Sequence, residues 1–442
     1  MNIVIIGTGY VGLITGLGYA KLGHRVACVD VDGGKIAKLD MGESPFFEPG
    51  LQELLREMQE GGSIMFTTDL SSVIGDAEII MLAVGTPAAP TGEANLSFVF
   101  AAADAVGHLL NHETIIAVKS TVPVGTNRRV LDRVRTAMAE AGTGDISSLV
   151  QSASLPEFLR EGSAIADFFL PDRLVIGADD EPTRAMLDLL HEGIAAPRVF
   201  LSIESAELAK YAANAFLATK ISFINEMANI AECVGADIRG VARALSLDRR
   251  IGPSFLNAGI GYGGSCFPKD IAALHQMAGA KGYDFKLLSS VIEVNNRQRE
   301  LFIRRVEEVL GGLQGRAIAV WGLAFKGGTD DVRESAAIDI TQSLCGRGAE
   351  IVAYDPQAMT QAKGMLSDRV TFASTAIDAA TGSEALLVLA DWPEFRTVSF
   401  ETLKSVMLEP RIFDGKNWLT DLGLERLGFD YRGVGFSPNP RL

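Results

Sequence analysis

Asn2-Ile3-Val4-Ile5-Ile6-Gly7-Thr8-Gly9-Tyr10-Val11-Gly12 opens the chain, and its context decides the fold. Residues 2–6 are a short apolar run, and a second run over 24–30 ends in Asp30. Between them Gly7, Gly9 and Gly12 fit G-x-G-x-x-G, followed by a helical pattern. In a strand–turn–helix setting the first glycine makes the turn. The second lets a pyrophosphate approach the backbone, and the third permits tight helix–strand packing. An acid closing the next strand suits the hydroxyls of an adenosine ribose and repels a 2′-phosphate. NAD is therefore expected over NADP, with Lys35 as a nearby cation that softens the discrimination. A flavin site and a glycine turn that binds nothing are the competing readings.

Working outward, strand-like runs recur at 78–84, 114–118 and 173–177, with helical periodicity over 97–110 and 125–140. Strands alternating with helices imply a parallel sheet covered on both faces. From Ser202 to Gly235 one long helix is expected, with Ser202 as N-cap and Glu204 in the first turn. Between Tyr211 and Ala231 its only charges are Lys220 and Glu226, which implies burial, in a domain or subunit interface. The alternation then restarts. Residues 317–321 read as a strand, Gly322 follows, 335–347 as a helix, and 350–354 as a strand ending at Asp355. This reads as a second Rossmann-like domain in which Gly322-Leu323-Ala324-Phe325-Lys326-Gly327-Gly328 replaces the phosphate loop. The expected organisation is α/β: a dinucleotide-binding Rossmann domain over 1–200, a central helical region over 201–300, and a C-terminal Rossmann-like domain over 301–442.

Composition narrows the class. A chain of 442 residues with 48% hydrophobic and 21% charged residues divides into two or three well-buried domains. Its net charge of -15 argues against a nucleic-acid surface, which rests on many cation–phosphate contacts. Cys28, Cys233, Cys266 and Cys345 are widely spaced and suggest neither a disulfide framework nor a zinc site. The opening residues lack a cationic leader and no apolar run reaches membrane length, so a soluble cytoplasmic protein is expected.

The chemistry concentrates in Gly261-Tyr262-Gly263-Gly264-Ser265-Cys266-Phe267-Pro268-Lys269-Asp270. A cysteine at the mouth of a glycine-rich loop, before a helix starting near Pro268, gains thiolate character from the helix N-terminus. The other three cysteines read as small buried hydrophobes. Asp270 would lie one turn below Cys266, either as an ordinary first-turn carboxylate or as a group that orients or deprotonates a water. Lys210 and Asn214, also four apart, form either a solvated stripe or a pair that stabilises a developing oxyanion. Apolar Leu217 and Ile221 on that side weaken the first reading.

These residues resemble the nucleotide-sugar 6-dehydrogenases, nearest the UDP-glucose branch, over nearly the whole chain. Further landmarks are Glu48–Leu51, Ser120–Gly125, Pro156–Gly162, Glu207–Asn214, Arg250–Gly252, Phe325-Lys326 and Arg333–Ser335. The resemblance implies oxidation of the C6 alcohol of UDP-glucose to a carboxylate with two NAD reduced in succession. Cys266 would trap the intermediate aldehyde as a thiohemiacetal, then carry a thioester. It assigns Lys210 and Asn214 to the oxyanion, Asp270 and Thr121 to the catalytic water, and Glu157 to proton transfer or water positioning.

For the cofactor it adds Tyr10, Val11, Thr86, Thr121, Glu161, Lys269 and Arg333 to the glycine loop, Asp30 and Lys35. For the substrate it implies Glu157, Phe158, Leu159, Glu161, Lys210, Asn214, Phe255, Tyr262, Gly263, Phe325 and Lys326, with Arg250 reaching a partner subunit's site. A homodimer assembled through the 202–235 helix, no metal, and no nucleic-acid or membrane partner complete the expectation. Leu155, Gly85 and Ala336 depart from the family's common Asn, Pro and Pro, which touches rate and specificity but removes no catalytic group. The same chemistry on GDP-mannose or UDP-N-acetylmannosamine is an alternative, as is a non-catalytic NAD-binding regulator.

Overall fold

The computed structural model describes residues 1–436 of the chain and resolves it into two compact units. The first comprises Met1–Ala213 with Ala272–Ala280, and the second Asn214–Ile271 with Lys281–Leu442, of which 437–442 lie outside the described residues.

In the first unit eight strands form one sheet: β1 (Asn2–Ile6), β2 (Arg25–Val29), β3 (Ile64–Thr67), β4 (Ile79–Leu82), β5 (Thr114–Val118), β6 (Val150–Ser154), β7 (Leu174–Gly177) and β8 (Arg198–Leu201). Their order is β3-β2-β1-β4-β5-β6-β7-β8, parallel except for β6 against β7. The first six strands follow the 3-2-1-4-5-6 order of a Rossmann sheet, so the turn after β1 sits at the switch point where dinucleotides bind. Two apolar clusters cover its faces, one around Ile5, Leu13, Leu17 and Met81, the other around Val4, Ile80, Val106 and Val134. β4 and β5 are buried at every position, as a two-sided parallel sheet requires.

The second unit holds β9 (Ala317–Trp321), β10 (Glu350–Tyr354), β11 (Val370–Phe372), β12 (Ala385–Val388), β13 (Arg411–Asp414) and β14 (Asp430–Arg432). All pair in parallel in the order β11-β10-β9-β12-β13-β14, the same topology again. The acid that closes β10 is turned into the protein. Asp355 is fully buried and accepts hydrogen bonds from Leu323 N, Ala324 N and the Trp392 indole. Its lone pairs are spent inside the protein.

The long helix runs Ile203–Val234, with Ser202 Oγ accepting from Ser205 N at 3.2 Å as the expected cap. It is not buried all round within the chain: Phe216, Phe223 and Ile230, seven residues apart, are 66%, 51% and 51% exposed. Cys28 and Cys345 are buried, as their strand and helix positions suggest. Cys233 corrects the expectation of burial, because it lies on the final turn beside the 70% exposed Val234.

Candidate active site

In the first unit the glycine loop has the geometry its residue types imply. Gly7 has φ 103°, and a Cβ there would stand 2.7 Å from Ala83 O. A Cβ on Gly12 would come within 1.9 Å of Gly7 O, so only glycine allows the helix to pack on the turn. Gly9 differs. Nothing lies within 4 Å of a Cβ there, which leaves the open side a pyrophosphate needs.

Asp30 accepts from Thr8 N at 2.8 Å, Thr8 Oγ1 at 2.7 Å and Lys35 Nζ at 3.1 Å. Burial pushes its carboxyl up, but the bonds from Thr8, Asp32 and Lys35 outweigh that and hold it below the usual range. Asp30 is thus ionised and tied to the loop, and Lys35 is tied to Asp30. That set fits a dinucleotide with an unphosphorylated adenosine ribose. Val11 and the half-buried Tyr10 start the helix that follows. Tyr10 OH donates to Glu48 at 2.7 Å, and burial with the Glu48 charge raises its phenol far above the ordinary value. Glu48 also accepts from Gly162 N at 2.6 Å and Ala164 N at 2.7 Å, pinning the segment that carries Glu157, Phe158, Leu159 and Glu161.

That segment meets the long helix. Lys210 Nζ lies 3.1 Å from Glu157 Oε1 and 5.3 Å from the Phe158 ring centroid, while Glu157 Oε2 accepts from Leu159 N at 2.6 Å. Lys210 and Glu157 are only 4% and 7% exposed, which rules out a solvated stripe. The helix is set by Glu207, which accepts from Gly125 N, Asn127 N and Asn127 Nδ2 at 2.6–2.8 Å and so caps the helix Thr126–Glu140. Thr86 Oγ1 donates to Thr121 O at 2.9 Å, joining the loops after β4 and β5. Gly85 needs no special contact, since a Cβ there meets nothing, and Leu155 is buried in the core.

The second unit holds the cysteine. The helix Phe267–Ala280 begins directly after the exposed Cys266, whose carbonyl accepts from Asp270 N at 2.9 Å. Cys266 therefore occupies the N-cap position, at the positive end of the helix. Its Sγ is 3.6 Å from Ser265 Oγ. Asp270, 1% exposed, accepts from Asn214 Nδ2 at 2.7 Å and Lys269 Nζ at 2.6 Å. Asn214 is itself buried, and stands one turn after Lys210 on the long helix.

The glycines before Cys266 are fixed by close approaches. A Cβ on Gly261 would meet Asn295 Oδ1 at 2.5 Å, on Gly263 Glu334 O at 2.2 Å, and on Gly264 the Phe325 ring at 2.8 Å. Phe255, at φ 63°, lies tilted at 50° to Phe267 with ring centroids 6.1 Å apart, and Tyr262 meets Phe267 edge-on at 6.0 Å. Lys326 Nζ is 5.5 Å from the Phe325 ring. Arg333 pairs with Asp331 at 2.7 Å just before Ser335, which caps the helix begun by Ala336. Arg250 is held at 2.6 Å by Asp248, with its side chain 89% exposed.

Three groups escaped the sequence reading. Asn295 accepts from Tyr262 N at 2.8 Å and donates to Tyr262 O at 3.1 Å, while Arg299 donates to the same carbonyl and Gln298 to Gly259 O, both at 2.9 Å. Their signal was polar residues at i, i+3 and i+4 in Asn295-Asn296-Arg297-Gln298-Arg299, facing where a helix should bury apolar ones. Lys416 Nζ donates to Phe325 O at 3.1 Å. Lys119, 8% exposed, stands just past the end of β5, where ligands of parallel sheets bind. Among the described residues no cluster of metal-ligating side chains occurs, and no helix is long and apolar enough to cross a membrane.

Comparison with known proteins matches three family models over this chain. They are the NAD binding domain of the UDP-glucose/GDP-mannose dehydrogenase family over residues 1–195, its central domain over 204–297 and its UDP binding domain over 319–421. The chain is 46% identical over 435 residues to UDP-glucose 6-dehydrogenase YwqF of Bacillus subtilis, with 98% of each covered. It is 41% identical over 448 residues to the UDP-glucose 6-dehydrogenase of Pseudomonas aeruginosa, covering 98% of this chain and 97% of that one. Among solved structures it is similar to a UDP-glucose dehydrogenase from Pyrobaculum islandicum, with TM-score 0.90, 37% identity and 98% of each chain covered. A UDP-D-ManNAc dehydrogenase from Pyrococcus horikoshii follows at TM-score 0.85 and 25% identity, covering 98% and 99%.

Proposed function

Because this chain belongs to the UDP-glucose/GDP-mannose dehydrogenase family, we propose that its residues carry out the oxidation of UDP-glucose to UDP-glucuronate through a covalent step at Cys266. It is an NAD-dependent enzyme. The observation that carries the reading is Cys266 at a helix N-cap, one turn before a buried Asp270 that is hydrogen-bonded to Asn214. A non-catalytic regulator has no use for that arrangement.

When bound, NAD accepts hydride in each of two successive oxidations, and Gly7, Gly9, Gly12, Asp30 and Lys35 would hold it. Tyr10, Val11, Thr86, Thr121, Glu161, Lys269 and Arg333 complete that proposed set. The C6 alcohol loses a proton as it becomes an aldehyde, and Glu157, held against Lys210, either takes that proton or positions the water used later. The Cys266 thiolate then adds to the aldehyde carbon, forming a C–S bond and a thiohemiacetal whose oxyanion Lys210 and Asn214 stabilise. Oxidation of that adduct leaves a thioester on Cys266. A water positioned by Asp270 and Thr121 attacks it, the C–S bond breaks, and the carboxylate leaves with the thiolate restored. Covalent capture keeps the aldehyde from escaping between the two oxidations.

Phe158, Leu159, Glu161, Phe255, Tyr262, Gly263, Phe325 and Lys326 are the proposed sugar-nucleotide contacts, and Arg250 is proposed to serve a partner subunit. An exposed Phe216–Phe223–Ile230 stripe supports a homodimer through the long helix. A cytoplasmic location suits a chain whose four cysteines form no disulfide. In functional terms, 1–200 would bind NAD, 201–300 carry the cysteine, and 301–442 bind the UDP portion. The test is the NADH formed under limiting UDP-glucose. Two equivalents with UDP-glucuronate as product are expected, whereas one equivalent with released aldehyde would overturn the mechanism. Comparing kcat/KM across UDP-glucose, UDP-N-acetylmannosamine and GDP-mannose checks the sugar nucleotide.

A further inference from the structure

Cys266 is approached by a stretch of chain that is buried yet belongs to no helix or strand: Ala258, Gly259, Ile260 and Tyr262 are all shielded from water. Backbone N–H and C=O groups in such a place have no ladder to join and no solvent to meet, so other groups must take them. Within the second unit they are taken from three directions. Asn225 Oδ1, on the long helix, accepts from Gly259 N at 2.8 Å. Gln298 Nε2, on the helix Lys286–Leu310, donates to Gly259 O at 2.9 Å. From the loop after β13, Gly415 O accepts from Ile260 N at 2.9 Å and Asn417 Nδ2 donates to Ala258 O at 3.2 Å. A Cβ on Gly259 would stand 2.7 Å from Gly415 O, so the segment has no slack toward that loop.

The side chains that hold Gly259 are themselves held. Gln298 Oε1 accepts at 2.9 Å from Nδ2 of Asn229, which stands one turn after Asn225 on the long helix. Asn417 Oδ1 accepts from Val434 N at 2.7 Å. Asn225 is 0% and Gln298 2% exposed, so neither can exchange its bond to Gly259 for one to water. Buried amides between two helices add little stability that an apolar seam would not give. What they supply here is a fixed backbone, three residues before the clamped Tyr262 and seven before Cys266. We propose that Asn225 and Gln298 are positioning residues of the covalent step, anchoring at Gly259 the segment that presents Cys266 Sγ to the aldehyde carbon. This rests on the thiohemiacetal reading given above and deepens it.

The consequence is selective. In the first oxidation the alcohol gives up its hydride and proton before sulfur takes part, so a displaced cysteine loop leaves that step intact. Capture then needs the thiolate within bonding reach. The sulfur adds to the aldehyde carbon, a C–S bond forms, and the carbonyl π pair becomes the oxyanion without any further oxidant. A displacement of about 1 Å slows such a step about 100-fold. Aldehyde that is not captured leaves, and only one NAD is reduced for each sugar that escapes. Loss of stability alone would lower the amount of active enzyme but not change the partition between capture and escape.

The experiment measures NADH formed per UDP-glucose consumed in the wild type, Asn225→Ala, Gln298→Met and Asn225→Asp, with semicarbazide present to trap released aldehyde. The wild type should give two equivalents and no semicarbazone. Asn225→Ala and Gln298→Met should fall toward one, with semicarbazone making up the difference. Asn225→Asp, whose oxygen still accepts from Gly259 N, should return toward two. If Asn225→Ala does not fold, Gln298→Met decides, because its unbranched side chain fills similar space without bonding Gly259 O. Two equivalents from the folded variants, however slow, would show a packing role only and overturn the proposal. A wild-type yield of one would instead sink the underlying scheme, so the two failures are told apart.

Discussion

Removing both members of the Lys210–Glu157 pair should cost clearly less than the sum of removing each alone. The two groups are 4% and 7% exposed and 3.1 Å apart, so neither can turn to water when its partner is lost. Breaking a buried pair from one side costs about 3–5 kcal/mol, because a charge is left uncompensated. In Lys210→Met the stranded carboxylate keeps its bond from Leu159 N and remains in range of Lys119, which places that variant near 3 kcal/mol. In Glu157→Gln the buried Lys210 ammonium loses the carboxylate that faces it, which places that variant nearer 5 kcal/mol. The double variant buries neither charge of the pair and should recover at least about 2 kcal/mol relative to the sum of the singles. Differential scanning fluorimetry of the full chain reads the effect as a fall of about 6–20 °C in the first transition for each single variant. Additive losses, with the double variant falling by the sum, would refute the claim that the pair is buried and mutually dependent.

The cysteine loop offers a second test. Asn295→Ala strips both bonds from Tyr262, an uncompensated loss of about 1–3 kcal/mol, and kcat/KM for UDP-glucose should fall about 10–100-fold with NAD affinity retained. Phe223→Glu places a charge in the exposed apolar stripe, and light scattering should then find monomer where the wild type is a dimer; a wild-type monomer would discard the interface. His191 supplies a pH dependence. Burial pushes it down to about 4, so the folded chain binds its proton less readily than the unfolded one. Its contribution to stability is complete above about pH 6.5 and is lost as pH falls toward 4, worth about 3 kcal/mol over that window. Thermal melts of wild type and His191→Gln across pH 4–7 should show a shallower acid loss in the variant.

Much of this architecture is legible in the sequence because local patterns and topology agree. The glycine loop, its flanking strands and Asp30 are set by sterics within thirty residues, and β9, β10 and Asp355 repeat the same pattern. Strands β11 to β14 were not read, being three or four residues long and lacking a distinctive period. The Cys266–Asp270 relation is local and readable as helix spacing. The Asn214–Asp270 bond spans 56 residues and the clamp of Asn295 on Tyr262 spans 33, so neither has a local signature. Lys119 was invisible for another reason. A lysine after an apolar strand looks like the first solvated residue of a loop, and only tertiary packing buries it. The exposed stripe on the long helix marks the limit in the other direction: periodicity shows an apolar surface, but the chain alone does not cover it.

The covalent step can be seen directly by intact-mass spectrometry of Cys266→Ser incubated with UDP-glucose and NAD. An oxygen ester hydrolyses more slowly than a thioester, so the account predicts an accumulated UDP-glucuronyl adduct that peptide mapping places at position 266. Full turnover by that variant with no adduct at any time point would contradict it.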